Sequence, residues 1–229
     1  MALTPSQQDL VNRTLRKVDA LDTPGNAIVG SVEDVYDQLI EASRLLLLDA
    51  RLPARVLHEV VSTDANASTN ATATATKVIV PIKDDFLRLF ALKIAGWTYS
   101  VRSEDVIDDE RDDRIERVSA GNQTAVVDSP IAVYEYLASP PTGYKNTAIV
   151  CYPGTGEATP VTTMQYIPET APTALSTALQ ELVTWKAAAL VFQPIDPQIA
   201  SLAESRYENL LSALLEPGRN KATRPFRYL

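Results

Sequence analysis

His58 is the only histidine of the chain, and it stands beside Glu59 and three residues after Arg55. An imidazole next to a carboxylate has the makings of a general base, because it titrates near neutrality. Such a base needs a nucleophile and oxyanion donors at recognisable spacing, and none accompany it, so His58 reads as structural. A second cluster, Asp105, Asp108, Asp109, Glu110, Asp112 and Asp113, supplies the oxygen ligands that calcium prefers. It lacks the alternation, the central glycine and the closing glutamate of a calcium loop. Arg111, Arg114 and Arg117 fall three or four residues from these acids, the spacing of ion pairs on a helix face. Residues 101–118 therefore read as a short exposed helix. Pro153-Gly154-Thr155-Gly156-Glu157 has the start of a phosphate loop but no third glycine and no Lys-Ser/Thr pair, so it reads as a hairpin turn. Trp97 and Trp185 read as core or interface anchors, since an acidic chain gives stacked bases little support. Asn66-Ala67-Ser68 and Asn70-Ala71-Thr72 match the glycosylation acceptor pattern. That pattern matters only in a secreted protein, and MALTPSQQDL does not read as a signal peptide. No catalytic residue, cofactor site or metal ligand emerges, and the expectation is a protein that is not an enzyme.

Composition sets the frame for these residues. The chain has 229 residues with 45% hydrophobic and 22% charged side chains, enough to bury a substantial core. Its one cysteine, Cys151, excludes an intramolecular disulfide and a cysteine metal cluster. No apolar run approaches a membrane span, so no membrane partner is expected. The net charge of −8 argues against a general nucleic-acid binder. Charge is unevenly spread. The last twelve residues, GRNKATRPFRYL, hold Arg219, Lys221, Arg224 and Arg227 and no acid, while the other 217 hold 17 basic and 29 acidic side chains, a balance of −12. A basic end on an acidic body reads as a docking arm. Arg219, Lys221, Arg224 and Arg227 supply its charge, and Phe226 and Tyr228 its apolar anchors.

The elements that would carry these groups follow from periodicity. Thr4 and Pro5 open a first helix to about Leu21, with Leu10, Val11, Leu15 and Val18 on one face. Thr23-Pro24-Gly25-Asn26 is a turn. Ser31 caps a second helix, with Asp34 in a capping-box position. Its face is Val32, Val35, Tyr36, Leu39, Ile40, Leu46 and Leu47, and Leu45–Leu48 predicts burial from several sides; Pro53 ends or bends it. Thr63–Thr76 is Ala, Thr and Asn without large apolar groups, which predicts an exposed mobile loop. Lys77–Ile82 predicts a strand ending at its proline. Phe86–Ile94 fits a strand with Phe86, Arg88, Phe90, Leu92 and Ile94 on one face better than a helix. Ile131–Leu137, Thr147–Tyr152 and Val161–Ile167 add three strands, separated by turns at 128–130, 140–143 and 153–156. A helix bearing Leu175, Leu179, Leu182, Val183, Lys186, Ala189 and Leu190 follows. The last helix has Asp196 as N-cap, Pro197 at its first position, and a stripe of Ile199, Leu202, Ala203, Tyr207, Leu210, Leu211 and Leu214. Glu216-Pro217-Gly218 stops it. The predicted fold is α+β. N- and C-terminal helix pairs form a bundle (residues 1–58 and 171–217), an antiparallel β-sheet region is inserted between them (59–170), and a basic tail ends the chain (218–229).

Three segments together resemble the head-to-tail adaptor proteins of tailed bacteriophages, the connector and tail-tubular ring proteins of short-tailed and crAss-like phages. They are LTPSQQDLVNRTLRKVDALDT with SVEDVYDQLIEASRLLLLDA, then KVIVPIKDDFLRLFALKIAGW, then TTMQYIPETAPTALSTALQELVTWKAAALVF with ASLAESRYENLLSAL. The resemblance rests on their order and spacing. It implies a virion structural protein at the head–tail junction, assembled in the host cytoplasm. Copies would form a homo-oligomeric ring of about twelve subunits under the portal protein. Other tail rings would continue a channel through which genome DNA passes without specific binding. The alternative is an oligomeric protein-interaction module with no part in DNA passage.

Overall fold

The computed structural model describes residues 3–21, 31–49, 51–52, 54–74, 77–97, 100–103, 106–107, 131–152 and 162–215. The turn expected at 23–26, Pro53, the whole acidic run (Asp105, Asp108, Asp109, Glu110, Asp112 and Asp113), residues 153–157 and the tail with Arg219, Lys221, Arg224, Phe226, Arg227 and Tyr228 lie outside them. The fold is α+β. Two compact units form: a helical one of Met1–Val60 and Thr170–Leu229, and a β unit of Val61–Glu169.

In the helical unit, α1 (Pro5–Leu21) starts in a reciprocal cap. The Gln7 N–H donates to the Thr4 hydroxyl at 3.4 Å and the Thr4 N–H to Gln7 Oε1 at 2.7 Å. α2 (Val32–Leu48) has the Ser31–Asp34 capping box. A single turn, α3 (Ala54–Leu57), follows. α5 (Thr177–Phe192) buries Leu179, Leu182, Val183, Thr184, three alanines at 187–189 and Phe192. Burial on this many sides suits a central helix, and α1, α2 and α6 (Pro197–Leu215) all pack on it. Asp196 caps α6 by accepting from the N–H groups of Gln198 (2.9 Å) and Ile199 (3.2 Å).

Helices with fewer neighbours keep uncovered faces. On α2 the buried side is Val35, Leu39, Ala42, Ser43, Leu46 and Leu47, while Val32, Ile40, Leu45 and Leu48 are exposed. This corrects the expectation that the leucine run is covered all round: α1 and α5 reach one stripe of α2. On α6 only Ala203, Tyr207 and Leu211 are buried; Leu202 and Leu210 are exposed. On α1, Thr14 is buried with Leu10 and Val11, its hydroxyl donating to the Leu10 carbonyl at 3.0 Å.

The β unit holds β1 (Ser62–Asp64), α4 (Ala67–Asn70), β2 (Thr72–Ala73), β3 (Val78–Lys83), β4 (Phe86–Ile94), β5 (Val106–Ile107), β6 (Ile131–Tyr136), β7 (Tyr144–Tyr152) and β8 (Thr162–Pro168). One sheet runs β1-β8-β4 and the other β2-β3-β7-β6-β5; all pairs are antiparallel except β5 with β6. Both contribute to one core, with Val78, Val80, Ile149 and Cys151 from the second sheet and Leu89, Leu92, Met164 and Tyr166 from the first. The central strand β7 is buried on both faces, since Val150 and Tyr152 join Ile131 and Val133 in a second cluster.

Four expectations change here. Residues 63–74 are not an exposed loop: Asp64, Ala67 and Ala71 are buried. Alanines anchor a core where a helical turn lies close enough for a methyl group to fill the gap. β4 buries Phe86, Leu92 and Ile94 of the period-two set but Leu89 in place of Arg88 and Phe90, because register shifts at 86–88 and 89–91 each insert a residue. β3 runs through Pro81 without stopping. β2 pairs only as far as Ile79, so among the described residues no strand on that side pairs with Pro81. Of the helix expected over 101–118 only 101–103 and 106–107 are described, and there Val101 bridges Leu92 and Val106–Ile107 forms β5. The alternation of charge there hid two β-branched positions that pair with β6.

Candidate functional site

Of the residues singled out for chemistry, the acidic run and residues 153–157 lie outside the described residues. His58 is largely exposed, 3.9 Å from the Glu59 carboxylate. Cys151 is wholly buried, and burial pushes its thiol far above the ordinary range, which makes it inert. Trp97 packs at the margin of the β-unit core. Among the described residues no grouping of His, Cys, Asp and Glu could hold a metal ion, and no helix is long and apolar enough to cross a membrane.

The densest polar chemistry lies at Asp64, which sequence reasoning had assigned to a loop. Its side chain is 0% exposed. β1 delivers it beside the start of β7, where the Tyr144 hydroxyl donates at 3.0 Å to Oδ2. The Asn66 N–H donates to Oδ1 at 2.9 Å, a turn that leads into α4. Lys83 Nζ stands 3.7 Å from Oδ1 and 4.5 Å from the centre of the Tyr144 ring. Asn70, at the end of α4, donates its amide to the Tyr144 oxygen at 3.0 Å. Burial first, then the hydrogen bond to Asp64, raises the Tyr144 pKa. Burial alone would lower that of Lys83, but the Tyr144 oxygen and the Asp64 charge outweigh it and raise it. Phenol and ammonium both keep their protons at neutral pH, so the group is not poised for acid–base exchange. It pins α4 to the sheet. Nearby, Tyr166 stacks on Phe86 with centroids 5.7 Å apart and donates to Asp85 at 3.0 Å. Burial and that bond raise its pKa as well.

A second network joins α1 to α5. Glu181 accepts from Lys17, from Arg13 (3.3 Å) and from the Trp185 indole N–H (3.2 Å), and Lys17 lies 4.6 Å from the Trp185 ring centre. The two partners shift differently. Burial costs Lys17 more than the pairing returns and lowers its pKa. Burial would raise Glu181, but two cations outweigh it and lower its pKa. The carboxylate governs the cluster, because it alone faces two opposite charges. Trp185 is thus a helix-to-helix anchor. Elsewhere, Arg51 bridges Asp49 and Glu208 at 2.7 and 2.8 Å, and Lys186 meets Glu204 at 2.6 Å while lying over Tyr207.

What remains available for a partner is surface. Ile40, Leu45 and Leu48 on α2, and Ile195, Leu202 and Leu210 on or beside α6, are large apolar groups left in water. Their exposure could not be read from periodicity, which does not say how many neighbours a helix has. No protein-family model matches the chain, and no curated protein matches it in sequence.

Proposed function

We propose that the chain is a virion structural protein, a head-to-tail adaptor whose copies form a ring under a phage portal and continue the DNA channel into the tail. The uncovered apolar faces of α2 and α6 carry this reading. A ring subunit needs two different faces for its two neighbours, and large exposed apolar groups mark protein contact surfaces. Charge is consistent with it. An acidic body repels phosphate and lets DNA pass without holding it. The buried Asp64 network and the half-exposed Glu181 network are consistent with a structural part, since each fixes elements to one another. Arg219, Lys221, Arg224, Phe226, Arg227 and Tyr228 form a docking arm for the portal or a neighbouring subunit. Truncation after Pro217 tests the arm: the shortened chain should keep its circular dichroism spectrum and lose salt-sensitive attachment to portal particles. Equal attachment of the two forms contradicts it.

A further inference from the structure

The turn between α5 and α6 leaves a cavity of about 200 Å³ against the first half of α2. Val35, Leu190, Val191 and Pro194 make apolar walls, Asp34 and Gln38 a polar edge, and Ile195 stands 52% exposed at the margin. This volume is below the roughly 300–1,000 Å³ of small-molecule pockets and suits one aromatic side chain. From the cavity a stripe continues along α2. Asp34, Gln38, Glu41, Leu45 and Leu48 recur at helical spacing, and Leu45 and Leu48 are uncovered. α2 carries Glu33, Asp34, Asp37 and Glu41 against one cation, Arg44. The surface is thus an aromatic-sized hole followed by acidic and then apolar ground. Residues 218–229 have the complementary chemistry: four cations, no acid, Phe226, Tyr228 and Leu229.

We propose that the cavity and stripe bind residues 218–229 of a second copy of the chain, with an aromatic ring in the cavity and arginines against the α2 acids. This rests on reading the chain as a self-assembling structural protein, and it names the surface that the basic end engages. Reach favours a second copy. Pro197, the first residue of α6, lies just past the cavity turn, and the 19 residues of α6 carry the chain about 28 Å away by Leu215. Phe226 can lie at most about 40 Å beyond Leu215, so a return to its own cavity would use most of that span. A neighbour placed head to tail presents its cavity without that reversal, and repetition of the contact gives a heterologous assembly.

The full-length chain, carrying a photoreactive benzophenone side chain in place of Phe226, is prepared in light and isotope-heavy forms, mixed and irradiated. Crosslinks should join residue 226 of one form to residues 34–48 or 190–195 of the other. Asp37→Lys with Glu41→Lys should lower the yield about fivefold, as expected for lost exposed ion pairs, and Arg224→Glu with Arg227→Glu should restore it. Asp37 and Glu41 are exposed, so the core is untouched; an unchanged circular dichroism spectrum verifies this. Crosslinks confined to one isotopic form, crosslinks to other surfaces, or a yield indifferent to charge reversal overturn the proposal. Rings on a portal with crosslinks elsewhere overturn it and leave the adaptor reading standing. The expected crosslinks in a protein that forms no ring support it and count against the adaptor reading.

Discussion

Removal of the Asp64 carboxylate is predicted to loosen the β unit more than any surface change. In Asp64→Ala, the Tyr144 hydroxyl and the Asn66 N–H lose their acceptor and Lys83 loses its counter-charge. Hydrogen bonds to charged groups contribute about 1.5–3 kcal/mol, and breaking a buried ion pair costs about 3–5 kcal/mol. Lys83 is 28% exposed and can turn to water, so a value near 3 kcal/mol is expected. Tyr144→Phe keeps the ring under Lys83 but removes both the charge-assisted bond to Asp64 and the one from Asn70, for about 2–4 kcal/mol. Because the two substitutions break the same bond, the double variant should be less destabilised than the sum of the singles, with a coupling above about 1 kcal/mol. The chain has two compact units, so a single unfolding free energy is ill-defined. Amide hydrogen exchange in β1, α4 and β8 reads the effect locally. A loss below about 1 kcal/mol in Asp64→Ala, or additive effects in the double variant, would refute the pin.

Leu182→Asp places a charge where α5 is fully enclosed and should unfold the helical unit, a loss above about 4 kcal/mol; thermal melting checks it, and a wild-type midpoint contradicts that face. Stability should also fall in alkali. The raised pKa values of Tyr144 and Tyr166 mean a contribution fully present below the unfolded value of about 10 and lost as pH rises through the folded ones. Urea midpoints across that range should drop less in Tyr166→Phe.

Local rules made the helix ends legible. Thr4, Ser31 and Asp196 all cap as their side chains suggest, and apolar spacing separated α5 and α6 from the strands before them. Tertiary facts were not legible. The bulges in β4 depend on its pairing with β8, and they shift the buried set from a period of two toward three, the same spacing that made this segment look partly helical. The burial of Ala67 and Ala71 depends on how closely a turn approaches the sheet, which small side chains permit but do not announce. Asp64 was hidden for the same reason: a carboxylate in a polar stretch looks solvated until Tyr144 and Lys83, far along the chain, close on it. Exposure of Leu45 and Leu48 depends on which elements pack on α2, which no pattern within α2 records.

Electron microscopy of the purified full-length chain, alone and mixed with its cognate portal, tests the adaptor proposal most directly. The proposal predicts closed rings of a single order, about twelve subunits, seated coaxially on the portal with an open central channel. Particles that stay monomeric or dimeric at every concentration and leave the portal bare would contradict it.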